Sequence, residues 1–145
     1  MPYKNVIIQP ANYNNQHTQK VSQFYKGYSS VDNTSSTTEM FDFDLVKQDI
    51  MNHFSTRRGE RVMNPGFGSV IWELIFEPLT AESKSIIEND IARVLSSDPR
   101  ITVQALNINQ QSYGFIVEIT LQLVGTSQVE VMRLNFDKEA GLSLQ

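Results

Sequence analysis

The chain has 145 residues, of which 40% are hydrophobic and 19% are charged, and this size and mixture suit one globular domain. Its formal net charge of -4 argues against a general electrostatic attraction to nucleic acid or to anionic membranes, and no apolar run approaches a membrane span. The absence of cysteine excludes disulfides and thiolate chemistry, and the two distant histidines suggest no metal cluster, so we expect no metal and no cofactor.

Residues 1–40 form a polar segment rich in Asn, Gln, Ser and Thr, and we predict that it is an extended N-terminal arm. No stretch of it keeps a helical or strand period, so alone it buries too little surface to offset its ordering entropy. Its scattered apolar residues, such as Val6 and Phe24, suit an arm that orders against a partner, and an unstructured tail is the alternative interpretation. Residues 41–145 are predicted to form one α+β domain.

Three helices are predicted in the first half of that domain. The first begins near Asp44, a suitable N-cap, and ends before Gly59. A short helix over residues 69–76 follows, and the longest helix runs from its N-cap Thr80 until Pro99 closes it. The predicted buried stripes consist of Val46, Ile50 and Phe54 in the first helix and Ile87, Ile91, Val94 and Leu95 in the longest.

The second half of the domain is predicted to consist of strands. The first strand starts at Ile101 and continues toward Ile108, and its apolar positions slip from odd to even at Ala105-Leu106, which indicates a bulge or burial on both faces. Strict alternation over residues 113–123 predicts the second strand, and residues 129–136 form the third. Helices followed by strands predict an α+β fold in which N-terminal helices pack on a small antiparallel sheet.

The sequence offers little that resembles a catalytic site. Glu73 and Glu77 lie four residues apart on the predicted short helix, which suits a glycosidase pair, but a solvent-exposed helical face is the alternative and no further feature builds a cleft. His53 is expected to pack or to contact solvent. The glycines beside Phe67 lack the lysine of a phosphate loop, so we interpret them as backbone relief around a buried Phe67. We therefore predict no catalytic residue.

Two groups of charged residues suit contact with a partner. Asp98-Pro99-Arg100 forms a rigid corner, at which Arg100 binds a partner's carboxylate or carbonyls, or instead ties helix to sheet within the chain; spacing alone favours the tie. A basic cluster lies before the Gly-rich loop, where contact with an acidic neighbouring protein is favoured over nucleic acid. The cluster consists of Arg57, Arg58 and Arg61.

Several short motifs follow one another in a recognisable order and spacing across residues 40–136. They are Thr56–Arg61, Asn64–Gly68, Leu74–Thr80 and Asp98-Pro99-Arg100. The residues expected to have a structural role, rather than to contact a partner, are Gly59, Pro65, Gly66, Phe67, Gly68 and Pro78. This series resembles the baseplate wedge family of contractile-tailed phages, which is related to the wedge component of type VI secretion baseplates. The family pattern carries Glu-Pro-Arg at the corner, and this chain has the shorter Asp98 in place of that glutamate.

The resemblance implies a structural role in the virion. A member of this family has a small α+β fold, lies in the inner baseplate around the end of the tail tube, and serves as a platform for the first sheath ring. The implied partners are other wedge proteins and that sheath ring, with the tail tube as a further candidate, and assembly takes place in the host cytoplasm. The Arg100 corner is implied to contact the bundle that joins wedge proteins, with Asp98 and Pro99 shaping it.

These observations favour a structural subunit over an enzyme. The alternatives are a peptidoglycan-degrading lysozyme that uses Glu73 and Glu77, since some family members carry that label, and a regulatory adaptor on the same fold. The family's strand edges are thought to augment neighbouring chains, so we hypothesise that the strands between Tyr113 and Phe136 supply a sheath-facing edge. Truncation after Gly125 would test that hypothesis.

Overall fold

A computed structural model describes residues 24–29 and 39–145, where helices pack on one face of an antiparallel sheet. The elements are β1 (Lys26–Tyr28), β2 (Glu39–Phe41), α1 (Asp42–Ser55), α2 (Ile71–Leu74), α3 (Ala81–Ser96), β3 (Ile101–Gln111), β4 (Gly114–Leu123), β5 (Val129–Asp137) and β6 (Gly141–Leu144). The main sheet has the order β3-β4-β5-β6, and β1 pairs with β2 in a separate ribbon. The predicted α+β class is confirmed.

One core forms between the helices and the inner face of the sheet. In β4 every second residue is buried, because alternate side chains of a strand point to opposite faces and only one face meets the helices. The stripe that predicted the longest helix is buried in α3, where Ile87, Ile91, Val94 and Leu95 are almost fully covered. The sheet contributes Ile101, Ile108, Phe115, Val117, Ile119, Leu121, Leu123, Met132, Leu134 and Phe136 to this core.

The slip in the apolar pattern of β3 is a bulge. Val103 lies opposite Leu121 and Ala105 lies opposite Thr120, so Gln104 is the extra residue of the strand. The insertion turns the following side chains to the other face and places Leu106 on the core side. The bulge therefore precedes the predicted position by one residue.

The first helix starts earlier than predicted. Asp44 is an exposed residue inside the first turn of α1 rather than its N-cap, and Phe41, which occupies the cap position, has no side-chain oxygen to offer. The side chain of Asp42 contacts the segment before β1 instead: its Oδ1 accepts the backbone N–H groups of Phe24 and Tyr25, each at 2.9 Å. Its backbone has a φ of 45°, in the left-handed region that aspartate tolerates better than most residues.

The other two helices differ in how well their ends were predicted. Thr80 is the N-cap of α3, and its hydroxyl accepts the backbone N–H of Ser83 at 3.1 Å, as expected. The short helix predicted over residues 69–76 is reduced to the four residues of α2. Pro78 therefore does not end a helix but lies in the turn before α3, where its carbonyl accepts the N–H of Thr80.

Part of the predicted arm has regular structure. Lys26 lies opposite Phe41 in the β1–β2 ribbon, and its ammonium group lies 2.7 Å from the carboxylate of Glu39. Residues 1–23 and 30–38 of the arm lie outside the described residues, so the division of the chain at residue 40 stays a prediction.

The open edges of the main sheet differ from the hypothesised one. β4 is paired with β3 and with β5 throughout, so it offers no edge, and β6 covers β5 only across Leu134–Asp137. The hypothesis is wrong for β4 and applies only to the first half of β5. Truncation after Gly125 would not test it, because that cut also removes core side chains such as Phe136. Across residues 24–29 and 39–145, no strand lies on the outer side of β3.

Candidate functional site

A surface depression of about 460 Å³ lies between α1, the end of α3 and the loop that joins α1 to α2. We call residues 57–68 of that connection the arginine loop. The depression brings Arg61 beside the Asp98-Pro99-Arg100 corner, as a shared interface requires, whereas Arg57 and Arg58 do not line it. The lining residues are Asp49, Ile50, Asn52, His53, Arg61, Phe67, Val94, Ser97, Asp98, Pro99 and Arg100.

Arg100 forms a tie within the chain. Its Nε donates to Oδ1 of Asp98 at 2.9 Å and its Nη2 donates to Oδ2 at 2.6 Å, which is the bidentate geometry that favours arginine over lysine. The same Nη2 reaches Oδ2 of Asp49 on α1 at 2.7 Å. Because Arg100 directly precedes β3, this contact joins the helical layer to the sheet, which is the internal tie favoured by spacing. The side chain is still 24% exposed and borders the depression.

Both partners of this tie are held in their charged forms. Burial acts to raise the pKa of Asp98, but the hydrogen bonds from Arg100 outweigh it and the pKa falls below its ordinary value. The hydrogen bonds to Asp98 raise the pKa of Arg100, against the effect of burial, and Asp49 adds to the rise. Oδ1 of Asp98 also accepts the backbone N–H of Arg100 at 3.0 Å, so this short side chain closes the corner on itself.

Phe67 lies between two other side chains at the rim of the depression. The ring of His53 stacks on it with centroids 3.9 Å apart and an interplanar angle of 15°, and the guanidinium carbon of Arg61 lies 3.7 Å from its centroid. Two groups this close to one ring must occupy opposite faces, and Arg61 makes a cation–π contact. Phe67 is half-buried, not buried as predicted, and of the two roles expected for His53, packing or solvent contact, the structure shows packing.

A buried carboxylate that the sequence analysis did not single out organises the loop from α3. Oδ2 of Asp90 accepts the hydroxyl of Ser69 at 2.6 Å and the backbone N–H of Val70 at 3.0 Å, while Oδ1 pairs with Arg93 at 2.7 Å. The available signal was position, because Asp90 follows Ile87 by three residues and so falls within the apolar stripe of the helix. A charged residue on a buried face needs partners, and here the loop supplies them.

Arg93 then fastens the Gly-rich end of the arginine loop. Its Nη1 donates to the carbonyl of Gly66 at 3.1 Å and its Nη2 donates to that of Gly68 at 2.6 Å. Gly68 has a φ of 105°, and a Cβ there would lie 2.7 Å from the backbone of Arg57, so glycine is required. Gly66 has no positive φ, and a Cβ there would meet only Oδ1 of Asn64 at an ordinary contact distance, so the predicted need for backbone relief holds at only one of the two flanking glycines.

Hydrogen bonds within the arginine loop and at its base hold the loop together. The N–H of Gly59, a residue with a φ of 86°, donates to the carbonyl of Pro65 at 3.0 Å. Residue 57 forms a parallel bridge with Ser69, and Glu60 accepts the N–H of Arg57 through its side chain at 2.9 Å. These contacts give the loop a defined shape.

The proposed glycosidase pair does not share a helical face. Glu73 lies in α2, whereas Glu77 lies beyond the end of that helix and lines a separate small depression with Pro78. Over the described ranges, no three His, Asp or Glu side chains come together as a metal site would require. No helix in that part of the chain is long and apolar enough to span a membrane.

Comparison with known proteins gives one consistent match. The family model described as "Baseplate wedge protein gp25" matches residues 42–128, which include the arginine loop and the corner. The chain is 29% identical over 82 residues to the baseplate wedge protein gp25 of Enterobacteria phage T4. That alignment covers 54% of this chain and 62% of the relative, so the chain spans about three-fifths of the length of that protein.

The fold is also similar to a solved structure. A protein of Geobacter sulfurreducens named as a candidate tail lysozyme superposes with a TM-score of 0.54 and is 25% identical in sequence. The match covers 66% of this chain and 95% of that one. The helical layer and the antiparallel sheet of this chain are therefore an arrangement that the Geobacter sulfurreducens protein shares.

Proposed function

Because the chain belongs to the baseplate wedge gp25 family, we propose that it is a structural subunit of a contractile tail baseplate and the platform on which the first sheath ring assembles. Membership in the family supports the place in the virion. The observation that supports the proposed role as a sheath platform is the open edge of β3. Other wedge proteins and the first sheath ring are the proposed partners, with the tail tube as a further candidate, and assembly is proposed to take place in the host cytoplasm.

Within residues 24–29 and 39–145, β3 has little of the usual protection of an exposed edge strand. It is 11 residues long, and the stretch from Ile101 to Gln111 contains no charged residue and no proline. Proteins normally guard such edges with charges, prolines, β-bulges, short strands or a cover, because another chain can add its own strand there. Here the bulge at Gln104 is the one such device within the strand. An extended segment of a sheath subunit can therefore pair with β3 through main-chain hydrogen bonds.

The sheath step is tested by placing charges on the edge. Asn107 and Asn109 are exposed residues of β3, and changing both to lysine is expected to disfavour strand addition without disturbing the core. We expect tails carrying Asn107→Lys with Asn109→Lys to contain complete baseplates without a first sheath ring, as seen by electron microscopy. Thr120→Lys is the control, because Thr120 lies on the outer face of the central strand β4. Normal sheath rings in the double variant would refute the platform.

The Asp98-Pro99-Arg100 corner is proposed to contact other wedge proteins, with Arg100 as the contacting residue. Within residues 24–29 and 39–145, Nε and Nη2 of Arg100 make the hydrogen bonds of the internal tie, whereas Nη1 makes none and remains free for a partner. An internal tie and an interface are compatible here, because the carboxylates hold the guanidinium in one orientation at the rim of the depression.

Co-expression with the other wedge proteins of the same phage tests the corner. We expect wild-type chain to be retained in a pull-down and Arg100→Ala to be lost while circular dichroism shows both folded. Arg133→Ala is the control, because Arg133 also pairs with a carboxylate, that of Glu118, but on the open face of the sheet. Equal retention of Arg100→Ala would reduce the corner to an internal tie. Loss of the wild type as well would contradict the wedge assignment.

We propose that the subunit has no muralytic activity. The name of the Geobacter sulfurreducens protein is the observation that favours a lysozyme. The separation of Glu73 and Glu77 into a helix and a following turn argues against the carboxylate pair. A turbidity assay on peptidoglycan decides the matter: clearance that Glu73→Gln or Glu77→Gln abolishes would establish the enzyme. The regulatory adaptor has no observation in its favour.

A further inference from the structure

The tip of the arginine loop exposes two neighbouring apolar side chains almost completely. Val62 is 93% exposed and Met63 is 96% exposed, more than any other large hydrophobic residue that the structure describes. Single exposed apolar residues are ordinary on protein surfaces, but an adjacent pair at the end of a projecting loop forms a small apolar knob. Neither side chain contributes to the core of this chain.

The loop holds this knob in a fixed position. One side of the tip is secured by Arg61, whose guanidinium lies on the ring of Phe67, and the other side is secured by Arg93 at the carbonyls of Gly66 and Gly68. A tip that is already ordered loses little conformational entropy when it binds. The backbone that carries this pair of side chains is thus preorganised, as a binding element requires.

The loop that carries the knob has a net positive charge. Residues 57–68 contain three arginines and one glutamate, a net +2, so the remainder of a chain whose total charge is -4 carries -6. The side chains of Arg57 and Arg58 form no salt bridge within residues 24–29 and 39–145, and both residues are exposed. This local reversal of sign points to a partner surface of opposite charge.

We infer that the tip of the arginine loop docks into an acidic protein surface that has an apolar recess. Val62 and Met63 fill the recess, and Arg57 and Arg58 pair with carboxylates around its rim. The inference rests on the proposed function, because the partner is another protein of the same baseplate. The loop tip would be a second contact surface besides the Arg100 corner, and its residues do not line the depression.

The geometry favours a protein over nucleic acid or a lipid surface. Binding of single-stranded nucleic acid relies on aromatic rings that stack with bases, and both faces of Phe67 are already occupied by His53 and Arg61. An anionic membrane attracts basic segments, but the remaining charge of -6 on this chain opposes approach to such a surface. An acidic recess satisfies both the arginines and the apolar knob.

The test measures the affinity of the full chain for the wedge subcomplex of the same phage, prepared without this chain. Val62→Ser with Met63→Ser, and Arg57→Glu with Arg58→Glu, are each expected to weaken binding at least about tenfold. Rising salt is expected to weaken the wild type more than the charge-reversed variant. Controls outside the loop are Tyr113→Ser, which removes another exposed apolar residue, and Lys84→Glu with Lys138→Glu, which reverses two other charges.

The outcomes separate this inference from the proposed function. If the wild type binds the subcomplex and both loop variants bind equally well, the docking element is refuted and the wedge assignment stands. If the wild type itself does not bind, the proposed function fails. The same proteins are also titrated with phosphatidylserine vesicles and with single-stranded DNA. Wild-type binding to either probe that the loop variants lose would overturn the assignment to an acidic protein.

Discussion

The pair of buried Asp90 and partly exposed Arg93 determines how the arginine loop is held on α3. The Asp90 side chain is 4% exposed and satisfies both of its oxygens with groups of the loop or with Arg93. Arg93 distributes its donors between that carboxylate and two loop carbonyls. Because each partner needs the other, a substitution at this pair is expected to affect the candidate site as well as the stability of the chain.

Replacing Arg93 with alanine is expected to lower the free energy of unfolding by about 2–3 kcal/mol, because a buried carboxylate then loses its counter-charge. Urea denaturation measures the loss. Lys84→Ala serves as the control on the same helix, because its exposed pair with Glu88 at 3.9 Å contributes less than about 0.5 kcal/mol. Equal stability of Arg93→Ala and the wild type would show that the loop does not depend on this pair.

The stability of the chain is expected to fall as the pH drops below neutrality, because of His53. Burial and the charge of Arg93 lower the pKa of His53 from its ordinary value of 6.5, although Asp90 opposes the shift. As the pH falls, His53 of the unfolded chain therefore becomes protonated near pH 6.5, whereas His53 of the folded chain stays neutral until a lower pH. The stabilisation present above pH 6.5 is lost as the pH falls through the folded pKa.

Thermal unfolding at about pH 5 and about pH 7.5 checks this expectation. The wild type should unfold at a lower temperature at the acid pH. His53→Phe keeps a ring stacked on Phe67 but cannot take up a proton, so its difference between the two pH values should be smaller. An identical pH response in the two proteins would exclude His53 as the cause.

At the scale of elements, regular periods were predictable and local turns were not. Strict alternation predicted β4, and the N-cap Thr80 with its apolar stripe predicted α3, because both patterns repeat over many residues. β1, β2 and β6 were not predicted, because three or four residues give no measurable period. α1 starts two residues before Asp44, since the contact of Asp42 with a distant segment outweighs the local capping preference.

The arginine loop depends on one glycine more than on the other. Gly68→Ala is expected to lower the free energy of unfolding by about 2 kcal/mol or more, because a Cβ at a φ of 105° lies too close to the backbone of Arg57 and Thr56. Gly66→Ala should change it by less than about 0.5 kcal/mol, since its nearest neighbour, Oδ1 of Asn64, is 3.7 Å away. Urea denaturation of the two variants compares them, and similar losses would contradict this reading of the loop.

Across the whole molecule, the helices and the sheet meet at one aromatic cluster. Phe136 of β5 lies 5.9 Å from Phe54 of α1, 5.8 Å from Trp72 of α2 and 5.2 Å from Phe115 of β4, measured between ring centroids. The sequence predicted a buried Phe54 and a strand that alternates through Phe115, but not that these rings meet Trp72 and Phe136. Contacts between residues far apart in the chain depend on the order of strands, which periodicity does not encode. For the same reason, the edges of the sheet were predicted incorrectly.

Phe136→Ala is expected to lower the free energy of unfolding by about 3–5 kcal/mol, because it opens a cavity where the two layers meet. Phe76→Ala is the matched control, since that side chain is 65% exposed and should cost less than about 0.5 kcal/mol. Calorimetry of both variants provides the comparison. A small loss at Phe136 would mean that the cluster does not hold the layers together.

The open β3 edge, proposed above as the surface for the sheath, can also pair with a second copy of this chain. Two copies can align their β3 strands into one continuous sheet, which would occupy the edge proposed for the sheath. The rate of that pairing rises with the square of the subunit concentration, whereas capture by a growing baseplate rises only in proportion to it. On that proposal, a slow supply of subunits favours the tail, and rapid synthesis ahead of the proposed partners diverts the chain into unproductive pairs.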